Sequence, residues 1–240
     1  MEANRLYNWS EDSIRWYLNA EPYDEFHRTV ADTVLSALPE RPTVCDVGCG
    51  IGTLSLLLAP HCGLVTACDI RNRPLDVVAA RAKACSIDSI ETLCGDFMKL
   101  PVPREKFDAL VFCRFGKMQD FAERALEWTK RKVFFIQNAS HKHSFTALAS
   151  YDKSVDFIDG RHFLDRLGVH YTVTDLTAEM GQPFENREDA ERFIAFYDTG
   201  SSSKMRADYL EQHLIQNNDA DFPLFLPCRK RFMLFEIDAL

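Results

Sequence analysis

Val44-Cys45-Asp46-Val47-Gly48-Cys49-Gly50-Ile51-Gly52-Thr53-Leu54 runs from an apolar strand, through three glycines at alternate positions, into the start of a helix. Glycine serves where a backbone must turn sharply or lie against a ligand with no Cβ in the way. The stretch therefore reads as a nucleotide-cofactor loop. A dinucleotide loop wants G-x-G-x-x-G and a pyrophosphate facing an uncluttered helix N-terminus. Here the third glycine comes one residue early, and Asp46 at the strand end is an anion that repels phosphate and suits a cationic ligand.

Three further signals follow in order. Leu64 to Asp69 reads as a second apolar strand ending in an acid, Ile90 to Phe97 as a third strand followed by Asp96-Phe97, and Phe107 to Phe112 as a fourth. The ordered set resembles the motifs of the class I S-adenosylmethionine (SAM) dependent methyltransferases, firmly from Thr43 to Gln137 and weakly beyond. The resemblance implies SAM as cofactor. It implies that Gly48, Cys49, Gly50 and Gly52 let the backbone approach the methionyl part, with Asp46 near its positive end. Asp69, followed by Ile70, would take the ribose hydroxyls; Asp96 and Phe97 would take the adenine, and Cys113 would border the site at the end of the fourth strand. Read without the family, Asp69 could instead be a helix N-cap.

Strands alternating with helical patterns predict a parallel sheet with crossover helices. The helix faces are Leu54, Leu57 and Leu58; Leu75, Val78, Ala79 and Ala82; and Phe121, Ala125 and Trp128. Lys132 to Gln137 reads as a fifth strand, His170 to Leu176 as a sixth and Arg231 to Ile237 as the last. The fold expected is α/β: a three-layer α/β/α sandwich around a seven-stranded, mostly parallel sheet with its last strand antiparallel, plus a helical cap. The divisions expected are an N-terminal helical lid at 1–42, the SAM-binding core at 43–182, a helical insertion at 183–228 and the final strand at 229–240. Within the insertion, Asn186 to Asp189 reads as a capping box and Gly200 to Ser203 as a break before a second helix. Tyr7, Trp9, Trp16 and Tyr17 either cover the ligand or simply pack. The segments Tyr7 to Ser10 and Gly181 to Phe184 resemble those of bacterial methyltransferases of similar length acting on small molecules.

Lys and Arg number 28 against 36 Asp and Glu, a net charge of −8, which argues against a nucleic-acid backbone as partner. A small-molecule acceptor is expected, with a homodimer allowed and no membrane partner, since no apolar run approaches the ~18 residues a span needs. The expected location is cytoplasmic. Eight cysteines, several inside apolar strands (Cys45, Cys68, Cys94, Cys113), read as reduced small hydrophobes. Cys45, Cys49 and His61-Cys62 form no C-x-x-C pair, so no metal is expected.

Methyl transfer from a sulfonium needs no covalent nucleophile, so positioning is the expected main effect. No catalytic residue stands out in the sequence. His141, His143 and Arg114 are the weak candidates, the histidines as general bases after the fifth strand and Arg114 as a two-pronged partner for an acidic acceptor or as a plain surface salt bridge. The fourth strand ends in Cys113-Arg114-Phe115-Gly116, where relatives methylating exocyclic amines carry an N/D-P-P-Y-type motif. That departure argues against adenine, cytosine and glutamine as acceptors. An NAD-dependent oxidoreductase and a non-catalytic SAM-binding partner protein are the competing readings.

Overall fold

The computed structural model describes residues 9–139, 145–147 and 157–239. The described chain falls into two compact units. The larger holds 27–139, 157–176 and 231–239, and the smaller holds 9–26, 145–147 and 177–230. No described helix is long and apolar enough to cross a membrane.

In the larger unit, β1 (Thr43–Val47), β2 (Leu64–Asp69), β3 (Ile90–Cys94), β4 (Phe107–Cys113), β5 (Thr129–Asn138), β6 (Tyr171–Glu179) and a last strand, Arg229–Asp238, form one sheet. Its order is β3-β2-β1-β4-β5-last-β6. β1 pairs in parallel with both β2 and β4, while the last strand runs antiparallel to β5. β1, β2 and β4 are buried nearly throughout and β5 at its centre, as expected of parallel strands covered on both faces. On one face Cys45, Val47, Leu110, Phe112, Val133 and Phe135 meet Met118, Ala122, Ala125 and Trp128 of the helix Met118–Trp128. On the other, Ala67 meets Leu75 and Val78 of the helix Asn72–Ala84. Ala79, expected on that helix's inner face, is exposed. It stands four residues after Leu75, on the flank of the stripe that Leu75, Val78 and Ala82 form.

The sheet order reverses at β1, from which the chain steps out to β2 and β3 and then returns to the other side at β4. The crevice outside the carboxyl ends of β1 and β4 is thus a topological switch point, the usual ligand position in open α/β sheets. At the opposite, amino end, Asp108 accepts hydrogen bonds from Thr43 N (2.8 Å) and Thr43 Oγ1 (3.0 Å), and from Arg131 Nε (3.2 Å). Burial pushes its carboxyl up, yet these bonds and Lys130 bring it below the usual value overall. The Phe107-Asp108 pair therefore latches the starts of β1, β4 and β5 together.

The smaller unit contains α1 (Glu11–Ala20), α7 (Arg187–Tyr197) and α8 (Ser203–His213); the other α-helices among the described residues are α2 (Glu25–Ser36), α3 (Thr53–Leu58), α4 (Asn72–Ala84), α5 (Met118–Trp128) and α6 (Phe157–Leu167). Ser10 caps α1 and Ser202 caps α8, each accepting from the backbone three residues on. The stretch expected as a helical insertion carries two helices, α7 and α8, and three short strands besides. β7 (Gln182–Phe184), β8 (Ile215–Gln216) and β9 (Leu224–Leu226) make a second, three-stranded antiparallel sheet; the last strand of the main sheet is accordingly β10. These strands are two or three residues long and one includes Pro183, so no alternation reveals them in sequence. Trp16 lies against Phe193 at 5.3 Å and Phe196 at 5.7 Å, and is core of this unit. Asn186 caps α7 by accepting from Asp189 N (2.9 Å). The Asp189 carboxylate does not close a capping box. It accepts instead from Arg15 Nη2 (2.6 Å), Trp16 Nε1 (3.0 Å) and Arg192 Nη2 (3.0 Å) while 2% exposed. Tyr7 lies outside the described residues.

Candidate functional site

The glycine loop leaves β1 and is sewn to β2. Gly48 N and Cys49 N both donate to Cys68 O, at 2.8 and 3.0 Å. Gly48 has φ +74°, and a Cβ built there would lie 2.2 Å from Cγ of Phe115, so only glycine admits the loop that follows β4. Gly52, at φ +79°, is the left-handed N-cap of α3 and lies against Val78 of α4. Arg81 of α4 donates from Nη1 to Ile51 O at 2.9 Å, holding the far side of the loop. Neither Arg81 nor Phe115 is marked by any sequence motif, because each reaches the loop only through the tertiary fold.

Asp46 is 1% exposed beneath the loop. Its Oδ2 accepts from Ser55 Oγ at 2.6 Å, joining the end of β1 to α3. Burial pushes its carboxyl up to about 6, against the pull of the Ser55 hydroxyl and the field of His27; nearby Asp69 adds to the rise. Asp69 is half-buried at the end of β2. Its Oδ2 accepts from Gly50 N at 3.1 Å and its Oδ1 from Arg71 N at 3.0 Å. Burial outweighs these bonds and its pKa is raised. A carboxylate has about four lone-pair sites, so each oxygen retains room for one further donor. Asp69 is not the helix N-cap that the sequence offered as the alternative: that position belongs to Arg71, and the Asp69 bond to Arg71 N is a turn contact ahead of the helix.

Gly95 N donates to Asp69 O at 2.9 Å, bringing the end of β3 beside that of β2. Asp96 receives Lys99 Nζ at 2.9 Å and Met98 N at 3.1 Å, which hold its carboxyl below the usual value. Phe97 turns inward: its ring lies 4.8 Å from Trp128 and 5.5 Å from Phe112, and it is 4% exposed. The apolar side chains standing out at these strand ends are Ile70, 62% exposed, and Met98, 46% exposed. Met98 was not singled out in the sequence, because it stands in the turn after β3, where no strand alternation marks it.

At the end of β4, Cys113 is half-buried. Arg114 donates its backbone N–H to Ile136 O at 2.8 Å with φ +56°, a left-handed conformation that costs a non-glycine residue ~1–3 kcal/mol. Cys94, expected in the core, is exposed at the end of β3, because only one residue in two faces inward there and this strand lies at the sheet edge. A hydrogen bond with Cys68 and burial raise the Cys45 thiol, and burial raises those of Cys49 and Cys62, leaving all three protonated at neutral pH, unlike activated nucleophiles. His141 and His143 lie outside the described residues. Among the described residues no group of three or more His, Cys, Asp or Glu is placed to hold a metal ion.

Thus the described site has two carboxylates at neighbouring strand ends, a third beneath the loop, and two exposed apolar side chains. Hydroxyl and amine donors on a flat apolar ring, joined to a cationic group, match this set in chemistry.

The sequence profile of a family described as a methyltransferase domain matches residues 44–133. An rRNA adenine N-6-methyltransferase from Streptomyces fradiae is 33% identical over 103 residues, covering 41% of this chain and 32% of that protein. A malonyl-[acyl-carrier protein] O-methyltransferase from Herminiimonas arsenicoxydans is 36% identical over 105 residues, covering 41% of this chain and 38% of that protein. The chain thus spans about a third of the length of these relatives. In fold, it is similar to the YcgJ protein from Bacillus subtilis, with TM-score 0.56 and 13% identity over 89% of this chain and 100% of that one. It is likewise similar to a SAM-dependent methyltransferase from Aquifex aeolicus, with TM-score 0.52 and 13% identity over 92% and 97%.

Proposed function

We propose that this chain, whose residues 44–133 match the methyltransferase-domain family, is a class I SAM-dependent methyltransferase that transfers a methyl group from SAM to a small-molecule acceptor. The observation carrying this reading is the glycine loop bound to Asp69: Gly50 N fixes one carboxylate oxygen, leaving lone pairs on both oxygens at the switch point of the sheet. When bound, SAM supplies an electrophilic methyl on a sulfonium. In this reading Asp69 accepts both ribose hydroxyls, Asp96 takes the adenine amine, and Ile70 and Met98 flank the ring. Phe97 backs that pocket from the core. Asp46, shielded by the loop, adds negative potential favourable to a cationic donor without touching it.

Holding donor and acceptor in a near-attack geometry can contribute ~7–11 kcal/mol, so the residues' task is to bind, orient and exclude water. Two relatives with different named acceptors, an rRNA adenine and a malonyl group, match this chain over 41% of its length each. The shared segment therefore carries no acceptor identity. The net charge of −8 supports a small molecule over an RNA.

Titration calorimetry with SAM and its demethylated product S-adenosylhomocysteine tests the donor site directly, with NAD run beside them. Micromolar-range uptake of the adenosyl ligands and none of NAD is the expected result. Asp69→Ala, with an unchanged circular dichroism spectrum, should weaken that uptake by about tenfold or more, the worth of a charge-assisted hydrogen-bond pair. Failure of the pure, folded protein to take up either adenosyl ligand would overturn the proposal.

A further inference from the structure

Five described non-glycine residues have positive φ: Trp9, Arg41, Ser86, Arg114 and Phe145. Arg114 alone of these directly follows a parallel strand at its carboxyl end, and that strand, β4, lies on the other side of β1 from β2, across the switch point. Its surroundings are rigid. The Arg114 N–H is bonded to Ile136 O, and the Phe115 ring occupies the space a side chain at Gly48 would need while lying 5.3 Å from the Phe121 ring. Gly116, at φ +65°, supplies a second left-handed turn two residues on, packed against the same Phe121.

A glycine at 114 would make this turn without strain. An arginine stands there instead, and its exposed guanidinium has no hydrogen bond or ion pair among the described residues. Lys117, at the N-cap of α5 three residues on, is likewise exposed and unpaired among them. Two unpaired cations beside the switch point, in a chain of net charge −8, are an anion-recognition pair. Backbone strain held at a ligand-binding edge is a known mark of function when it is observed rather than assumed.

Resting on the methyl-transfer reading, we infer that the Arg114 loop recognises an anionic acceptor, one bearing a carboxylate or a phosphate, with the guanidinium as two-pronged partner and Lys117 as a supporting charge. The planar fork of arginine suits either group, whereas lysine offers a point charge only. Phe115, seated on Gly48, sets the height of the guanidinium relative to the donor loop. Anion recognition is in this way mechanically tied to the loop that holds the donor.

The test uses the full chain saturated with S-adenosylhomocysteine, titrated calorimetrically with succinate, inorganic phosphate and the uncharged succinamide. Binding of succinate or phosphate, and none of succinamide, is expected; the tighter anion names the acceptor's group. Arg114→Gly should raise the thermal midpoint by relieving strain, leave S-adenosylhomocysteine uptake intact, and weaken the anion about tenfold or more. Arg114→Lys should restore part of that loss, which a merely structural role would not. Equal anion affinity in the wild type and Arg114→Gly, or no anion binding by protein that has taken up S-adenosylhomocysteine, would overturn the inference. Absence of S-adenosylhomocysteine uptake would instead strike the methyl-transfer reading itself.

Discussion

Asp46→Asn offers the sharpest test of how the donor loop is supported. The carboxyl of Asp46 is 1% exposed and raised from 3.8 to about 6, chiefly by burial. A shift of about two units corresponds to ~3 kcal/mol of preference for the protonated form in the folded state, at ~1.4 kcal/mol per unit. The folded pKa lies above the unfolded one, so the folded chain holds a proton that the unfolded chain releases. Raising pH therefore favours unfolding across this interval: the penalty is absent below about pH 4, grows between about 4 and 6, and is complete above. Asparagine imitates the protonated acid and keeps an oxygen to accept from Ser55 Oγ, which lies 2.6 Å from Asp46 Oδ2. The variant should be more stable than wild type by ~2–3 kcal/mol near pH 7.5, by roughly half that near pH 5, and by almost nothing near pH 4. Urea unfolding at the three pH values, with an unchanged slope, measures this. A gain independent of pH, or a loss near pH 7.5, would refute the reasoning. Weaker S-adenosylhomocysteine uptake by the more stable variant would explain why the buried charge persists, since charge at ligand sites is commonly kept at the expense of stability.

Gly48→Ala places a Cβ 2.2 Å from Cγ of Phe115 at φ +74°, so it should lower stability by ~2–4 kcal/mol in urea unfolding and also weaken donor uptake. An unchanged unfolding midpoint would mean that the Phe115 loop does not rest on the glycine loop. Asp189→Ala leaves Arg15, Arg192 and Trp16 Nε1 without their shared acceptor, and because Arg15 is about a third exposed the expected cost is ~2–3 kcal/mol, toward the low end for a broken buried pair. Although burial alone raises the Asp189 carboxyl, the bonds from Arg15 and Trp16 lower it overall. Its contribution is accordingly present at neutral pH and fades as pH falls through the lowered folded value, so wild type and variant should converge in acid.

The donor half of the molecule is legible from its sequence because its signals are local. Apolar strands buried on both faces read as continuous hydrophobic runs, and the acids at their ends stand at fixed positions relative to those runs, as with Asp46 after Val44-Cys45 and Asp69 after Val65 to Cys68. Ser10, Asn186 and Ser202 announce helix starts by short-range capping chemistry, and the structure places a helix after each. The three-stranded sheet escapes such reading. Its strands pair residues as distant as Gln182 and Leu226, and their length is too short to display a period.

Side-chain direction at the site shows the division most clearly. The sequence by itself determined the order of the main-sheet strands and the helices between them, the glycine loop and the carboxylates at the strand ends, all of which follow from backbone preference and burial periodicity within a few residues. Only the tertiary structure decided that Phe97 packs inward against Trp128 while Met98 stands out, that Asp46 is shut beneath the loop against Ser55, and that Phe115 fills the space above Gly48. Those outcomes depend on which neighbours compete for the same volume, and close packing of distant segments settles that competition only when the chain has folded.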